Sequence, residues 1–280
     1  MNSPRPATAR ILALHRYPLK SARGQSLPEA RLCATGFEHD RQWMLVTPEG
    51  RFISQRERPR LALLQVELGA LGLSISAPDL PQLSIAHSAA RLPCRVRIWR
   101  DECAAFDAGE NVASALSQWL EHPCRLVRFD PAQQRLSERR YSGAIDAANA
   151  FSDAFPLLLI GEASRQDLSR RVGRELPMNR FRPNIVLEGL GAYDEDQLLE
   201  LRLGKVILQV VKPCTRCSIT TTDQSTGVLD GAEPLRTLKG YRYDATLGGV
   251  CFGQNLVMAS GVGSTLAVGA SVQLRWRSPV

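Results

Sequence analysis

The sequence is poor in histidine and in aromatic residues. Its four histidines (His15, His39, His87, His122) lie scattered over 280 residues, with no pair at the spacing of an HExxH zinc helix. Aromatic residues make up 6% and do not interleave with a basic stripe, so no nucleic-acid partner is expected. No apolar run reaches the ~18 residues that a membrane helix needs, so no membrane partner is expected either. Met1 to Arg10 holds two prolines and two arginines but no apolar core, which argues against a secretory signal. Neither GxxxxGK[ST] nor GxGxxG follows a candidate strand, and Gly261-Val262-Gly263 stops short of both. A G-x-S-x-G nucleophile elbow is also missing.

What is present describes a folded, basic protein. Hydrophobic residues are 44% and charged residues 22%, the balance of a globular chain. The length suits one large or two ordinary domains. The net charge of +7 favours an anionic ligand or an acidic partner. Seven cysteines, an odd number spread over a long chain, argue against a disulfide scaffold. They fit reduced thiols in the cytoplasm.

The first half reads as strands. Ile11 to His15 is a short apolar run ended by Tyr17-Pro18. Gln42 to Val46 and Arg51 to Gln55 flank Thr47-Pro48-Glu49-Gly50, a hairpin pattern. Leu61 to Leu68 and Leu71 to Ile75 predict another strand pair, and Arg95 to Trp99 alternates basic and apolar residues. Within Glu110 to Glu121, Val112, Leu116, Trp119 and Leu120 form one helical stripe, which His122-Pro123 should end. Asp130 to Ala150 lacks apolar periodicity and reads as a long surface loop at a domain boundary. Its cluster of Arg135, Arg139 and Arg140 leaves open a basic flap over a ligand site.

The second half opens on a buried strand, Pro156 to Ile160. Ser164-Arg165-Gln166-Asp167 resembles a capping box, with Leu168, Val172 and Leu176 as the seam of a helix stopped by Pro177. Asn184 to Leu187, Val206 to Val211, Ile219 to Thr222 and Val272 to Trp276 predict strands, and Pro234 to Lys239 a short helix. Strands outnumber helices without strict βαβ alternation. The expected fold class is α+β, β-rich and barrel-like. The expected division is residues 8–129, a linker at 130–150, and residues 151–279.

The densest segment runs from Lys212 to Asp223 and contains Cys214-Thr215-Arg216-Cys217. A zinc site would need two further ligands from elsewhere. A thioredoxin-type dithiol would need a helix after the pair, whereas Ile219-Thr220-Thr221-Thr222 favours a strand. A single thiolate on a cofactor metal is the third reading, with Arg216 beside Cys217 to stabilise it. Two plain buried thiols are the fourth. Separate basic segments favour the third: Lys20-Ser21, Arg41 in Glu38-His39-Asp40-Arg41, and Arg182 in Asn179-Arg180-Phe181-Arg182-Pro183-Asn184. Cations joined to hydroxyl and amide donors make an oxyanion cradle.

These segments together resemble the MOSC proteins, in particular the branch that holds the amidoxime-reducing components and the bacterial YcbX-like proteins. The likeness spans about residues 10 to 278. It rests on Tyr17-Pro18-Leu19-Lys20-Ser21, Asp40-Arg41-Gln42-Trp43, Glu162-Ala163-Ser164, Asn179 to Val186, Cys214-Thr215-Arg216-Cys217, Thr220 to Asp223, Thr226-Gly227 and Phe252-Gly253-Gln254-Asn255.

The resemblance implies an N-terminal β-barrel-like domain followed by a MOSC β-barrel domain with peripheral helices. It implies a molybdenum cofactor (molybdenum on molybdopterin), with Cys217 as metal ligand and catalytic residue. Lys20, Ser21, Arg41, Arg182, Asn184, Thr215 and Arg216 would bind the cofactor. It also brings a family-level association with pyridoxal phosphate. The implied activity is an oxidoreductase that reduces small N-hydroxylated substrates with electrons from an external carrier: a cytochrome b5-like protein, a ferredoxin or a flavin reductase. The alternatives are a non-catalytic carrier of the cofactor or of sulfur, and a zinc-stabilised β module. Asp223 is a candidate proton relay or a plain turn residue. Two departures stand out. The turn Ser152-Asp153-Ala154-Phe155 lacks the hydroxyl pair of animal relatives, and Asn255 stands where some relatives have Tyr. No C-x4-C-x2-C occurs, so no intrinsic iron–sulfur cluster is expected.

Overall fold

The computed structural model describes residues 5–278 except His87. Met1 to Pro4, His87, Pro279 and Val280 lie outside the described residues, so the expectations for the extreme N-terminus and for His87 are not addressed by it.

Seven strands close a barrel: β1 Thr8–Arg16, β2 Leu157–Gly161, β3 Ile185–Glu188, β4 Leu198–Leu203, β5 Val206–Thr215, β6 Gly249–Ser260 and β7 Ser271–Trp276. Their order is β2-β3-β1-β7-β4-β5-β6, and β6 pairs back onto β2 through Leu157↔Leu256 and Leu159↔Gln254. Closure satisfies both edges that an open sheet would expose. Only β2 and β3 run parallel, and the helix Glu162–Val172 makes the crossover that a parallel pair requires. Along β5, Val206, Leu208 and Val210 are buried and alternate with half-buried residues, the period of a one-sided strand. With Ile11, Leu14, Ile185, Leu201, Leu256 and Val272 they fill the barrel.

The barrel borrows from the N-terminal region. Strand β1 sits between β3 and β7, the strand Glu29–Cys33 pairs with Thr265–Ala267, and Ala30, Leu32 and Phe37 join the same core. Residues 8–37, read from sequence as part of the N-terminal region, therefore pack with the C-terminal half. Without β1 the facing edges of β3 and β7 would stay unpaired.

The rest of the first half is a four-stranded antiparallel sheet in the order Trp43–Val46, Arg125–Phe129, Asp101–Asp107, Leu92–Ile98. A meander of Gln65–Gly69, Gly72–Ala77 and Leu80–Ala86 stands beside it. The predicted helix is present as Glu110–Leu120, with Leu116, Trp119 and Leu120 buried against Leu45, Leu61 and Leu126. It ends one turn before Pro123, where Glu121 adopts a left-handed backbone (φ 52). The 42–55 hairpin is present only in part: Trp43–Val46 is a strand, but Arg51 and Phe52 make isolated bridges and no second strand forms, although Ile53 N–H still donates to the Leu45 carbonyl at 2.8 Å.

The strand read over Leu61 to Leu68 begins only at Gln65, because Leu61 to Leu63 lie in the 3₁₀ helix Pro59–Leu63, and three further local expectations need correcting. The second-half helix starts at Glu162, not at Ser164. Ser164 is buried inside the first turn, where its hydroxyl donates to Glu195 Oε2 at 2.7 Å. The same helix stops at Val172 because Gly173 turns left-handed (φ 80), so Leu176 reaches the core from the loop beyond it. Ser218 to Thr221 forms a single 3₁₀ turn rather than a strand, and only Thr222-Asp223 is extended. The Thr220 N–H and Oγ1 both donate to the Cys217 carbonyl, at 3.2 and 3.0 Å, and coil this β-branched run.

Candidate functional site

The two halves meet at the segment that leaves β1. Lys20 N–H donates to the Trp43 carbonyl (2.8 Å) and Trp43 N–H to the Pro18 carbonyl (3.0 Å). Tyr17 to Ser21 thus passes from the barrel to the four-stranded sheet, and a cavity opens at this seam. Lys20, Ser21, Arg41, Arg182, Asn184, Thr215, Arg216 and Cys217, all singled out from sequence, line that one cavity. Sequence reasoning gave no role to Ser54, Arg56, Lys212 or Thr220, which line it as well. Ser54 and Arg56 are lone polar residues in a loop with no spacing to mark them, whereas Lys212 and Thr220 lie within the Lys212 to Asp223 segment without being assigned a role.

Lys20 is buried. Its ammonium donates to Asp153 Oδ1 at 2.5 Å and to the Phe151 carbonyl at 2.9 Å. Burial lowers its pKa, and Asp153 opposes that fall. Burial alone would raise the Asp153 carboxyl. Lys20, Trp99 and Arg56 more than offset it and hold the group well below the usual carboxylate range. The turn that supplies Asp153 is held from behind by Arg135, whose guanidinium donates to the carbonyls of Ala150 (3.1 Å), Ser152 (2.6 Å) and Asp153 (2.9 Å). Arg135 itself is buried and pairs with Asp101 at 2.7 Å. Residues 130–150 are therefore no plain surface loop: Arg135, Ser137 and Asn149 are buried in the support of the cavity wall. Arg139 and Arg140 stay exposed and pair with Asp146 and Glu138.

Arg41 pairs with Asp40 and donates to Asn184 Oδ1 at 3.0 Å. Asn184 is spent inside the protein. Its carbonyl oxygen also accepts from Leu158 N–H (3.2 Å), and its Nδ2 donates to the His15 carbonyl (3.1 Å). It braces Arg41 rather than offering both ends of its amide to the cavity. Arg182 donates to the Ala22 carbonyl at 2.6 Å. Burial lowers its guanidinium pKa to about 10, and Arg41 pushes the same way.

Arg216 does not point where the sequence suggested. Its Nη1 donates to Cys214 Sγ at 3.0 Å and its Nη2 to the Phe181 carbonyl at 2.5 Å. The guanidinium therefore supports Cys214, not Cys217. Among the described residues Cys217 Sγ has no hydrogen-bond partner, and it lies on the cavity wall, so it is the open thiol of the pair. Among the described residues no three His, Cys, Asp or Glu side chains converge to hold a metal ion. A tetrahedral zinc site made by the protein alone lacks its ligands.

Charge decides what this cavity suits. Six cations line it (Lys20, Arg41, Arg56, Arg182, Lys212, Arg216). Lys20 and Arg41 have carboxylate partners. Among the described residues the other four have none within ion-pair distance, and the buried Nε of Arg216 has no hydrogen-bond partner at all. Clustered cations without counter-ions call for a polyanionic ligand.

Asp223 lies outside this lining. Its Oδ1 accepts from Ser225 N–H (2.8 Å), Ser225 Oγ (2.5 Å) and Thr226 N–H (3.1 Å), the pattern of a side-chain-capped turn. The Ser225 and Thr226 bonds, with Arg180 adding to them, bring its pKa down to about 2. A carboxyl depressed in the fold contributes stability above its unfolded pKa and loses it as pH falls toward 2. Asp223→Asn should therefore flatten the acid limb of stability between about pH 4 and about 2, read by denaturation at each pH. It should leave turnover within about threefold, because no reacting group contacts the turn. A hundredfold loss of turnover would restore the proton-relay role.

Family profiles match in two places. That of the MOSC N-terminal beta barrel domain covers residues 8–123, and that of the MOSC domain covers residues 146–273. The mouse protein named mitochondrial amidoxime-reducing component 1 is 38% identical over 235 residues, 81% of this chain and 69% of that protein. Its human counterpart is 34% identical over 235 residues, 81% of this chain and 70% of that protein. The rat protein named mitochondrial amidoxime reducing component 2 is 36% identical over 242 residues, again 81% and 70%.

Proposed function

The chain belongs to the MOSC family, and from that premise we propose that it is a molybdenum-cofactor-dependent reductase of small N-hydroxylated compounds, fed by an external electron carrier. The observation that carries this reading is the cavity itself: one open thiol, Cys217, shares its lining with four cations that have no carboxylate partner among the described residues. A metal–pterin cofactor with a terminal phosphate needs that donor set, a single protein thiolate for the metal and cations for the phosphate.

Cys217 would hold the metal. Lys20, Ser21, Arg41, Arg182, Thr215 and Arg216 would hold the anionic and polar parts of the pterin, with Asn184 keeping Arg41 in place. When bound, the molybdenum cofactor would supply two-electron redox and oxygen-atom-transfer chemistry. The protein's own part is to orient and to screen. Arg182 is half-buried and has no carboxylate partner among the described residues, so its attraction for a phosphate is less diluted by water than that of a surface cation. Overall, an N-hydroxylated substrate with two electrons and two protons gives the reduced nitrogen compound and water. The electrons come from a cytochrome b5-like protein, a ferredoxin or a flavin reductase. Seven cysteines, all free in the structure, support a reducing compartment, for which the cytoplasm is our proposal. Among the described residues no helix is long and apolar enough to cross a membrane.

The test is metal and pterin analysis of the purified protein, followed by turnover of an amidoxime with reduced viologen. Stoichiometric molybdenum and release of the amidine are expected. One zinc and no molybdenum would displace the reading. Bound cofactor with no turnover of any N–O or S–O substrate would make the chain a carrier.

A further inference from the structure

Two guanidinium groups rest on one buried phenol. The central carbons of Arg41 and Arg182 each lie 4.3 Å from the centroid of the Tyr17 ring. Like charges gathered this closely repel, and only Arg41 has a carboxylate at hand. The ring face offers compensation, since its quadrupole attracts cations, most strongly away from water.

The ring is held on every side. Its hydroxyl donates to the Pro183 carbonyl at 3.0 Å, and the Tyr17 N–H donates to Asp40 Oδ1 at 2.7 Å. Only 2% of the residue is exposed. Gly24 lies flat against it: a Cβ there would stand 2.4 Å from the ring edge. Through Asp40 and Pro183, Tyr17 grips the neighbours of both arginines. Arg41 closes the knot, its N–H donating to the Tyr17 carbonyl (2.7 Å) and its Nη2 to the Arg182 carbonyl (3.2 Å). Both arginines take left-handed backbones, φ 48 and φ 56. Non-glycine residues keep such angles where the surroundings over-determine them.

We propose that Tyr17 is the positioning residue of the anion cradle: its ring presets Arg41 and Arg182, so that the cavity receives a phosphate monoester on two guanidiniums already in place. This inference rests on the reading that these arginines face the cofactor's phosphate. Tyr17 does not line the cavity and acts through the two arginines alone. Pre-arrangement lowers the ordering cost of binding, which is where the gain in affinity arises.

The experiment titrates the full-length protein with inorganic phosphate by calorimetry and measures pterin content as purified. Tyr17→Leu should bind phosphate at least tenfold more weakly and retain correspondingly less pterin. Tyr17→Phe keeps the ring face and should restore affinity to within about threefold, while it lowers stability through the lost Pro183 hydrogen bond. Affinity that follows the ring and stability that follows the hydroxyl separate positioning from a merely structural role. Should Tyr17→Leu fail to fold, Tyr17→Phe decides: affinity lost together with the hydroxyl, the ring face being kept, overturns the inference. Wild-type affinity in Tyr17→Leu beside lost affinity in Arg182→Leu overturns it and leaves the phosphate reading standing. Undiminished affinity in both Arg41→Leu and Arg182→Leu overturns the phosphate reading itself.

Discussion

Cys217→Ala is expected to lower amidoxime turnover by at least ~10³-fold, beyond the 10–100-fold that follows loss of an outer partner of a metal ligand. The argument runs through the two sulfurs. Cys214 Sγ accepts the Arg216 guanidinium at 3.0 Å, so that thiol is already engaged by the protein. Cys217 stands at the start of the Ser218–Thr221 turn, on the cavity wall, with its sulfur uncommitted among the described residues. Removing it deletes the one protein thiolate available to a metal and leaves the cations of the cradle untouched. Pterin content should therefore stay near that of the wild type while turnover and the thiolate-to-metal absorption vanish. Cys214→Ala is the control: it should keep that absorption, since its sulfur faces Arg216. The opposite pattern, absorption lost in Cys214→Ala and kept in Cys217→Ala, would reverse the assignment of the two cysteines.

Gly253→Ala should be strongly destabilising for the addition of a single methyl group. Gly253 sits in β6 opposite β2, where the barrel closes. Its φ is +80, and a Cβ would meet the Leu159 carbonyl oxygen and Ile160 Cγ1, each at 2.7 Å. One contact is with backbone, which cannot swing aside. A left-handed non-glycine residue costs roughly 1–2 kcal/mol, and overpacking a core adds roughly 1–3 kcal/mol. The loss should thus be about 2–5 kcal/mol, read as a lower denaturation midpoint at unchanged slope. The effect should reach the cavity as well. Asn184 N–H donates to the Leu158 carbonyl (2.8 Å) and its Oδ1 accepts from Leu158 N–H, so a displaced β2 loosens the residue that braces Arg41. Pterin retention should fall together with stability. A change within about 0.5 kcal/mol, the range of an ordinary surface substitution, would show that the seam opens without strain.

Both experiments probe motifs that were legible before any fold was known, for different reasons. Cys214-x-x-Cys217 stood out by spacing, yet spacing could not say which sulfur is open. That depends on Arg216, two residues from Cys214, folding back onto it. The helix Glu110–Leu120 was legible because its buried stripe is written into local periodicity. The Ile219–Thr222 segment misled because β-branched side chains favour strands in general, whereas the Cys217 carbonyl gathers two donors from Thr220 and winds the chain into a turn. Arg135 misled in the opposite way. A charged residue in an unpatterned stretch reads as solvated, but three carbonyls and Asp101 take its guanidinium out of water.

The sequence by itself determined the β-rich class, the candidate thiols and the cations for an anionic ligand, because those properties reside in residue type and short-range spacing. Only the tertiary structure decided that Lys20, Arg41, Arg182 and Cys217 share one cavity, since they come from segments up to 197 positions apart (217 − 20). It alone showed that β1 belongs to the C-terminal barrel, that Asp153 neutralises Lys20, and that Tyr17 carries two guanidiniums. The physical reason is common to all three. Strand pairing, counter-ion choice and cation–ring contacts are made between residues distant in sequence, and no local pattern records which partner closes the loop.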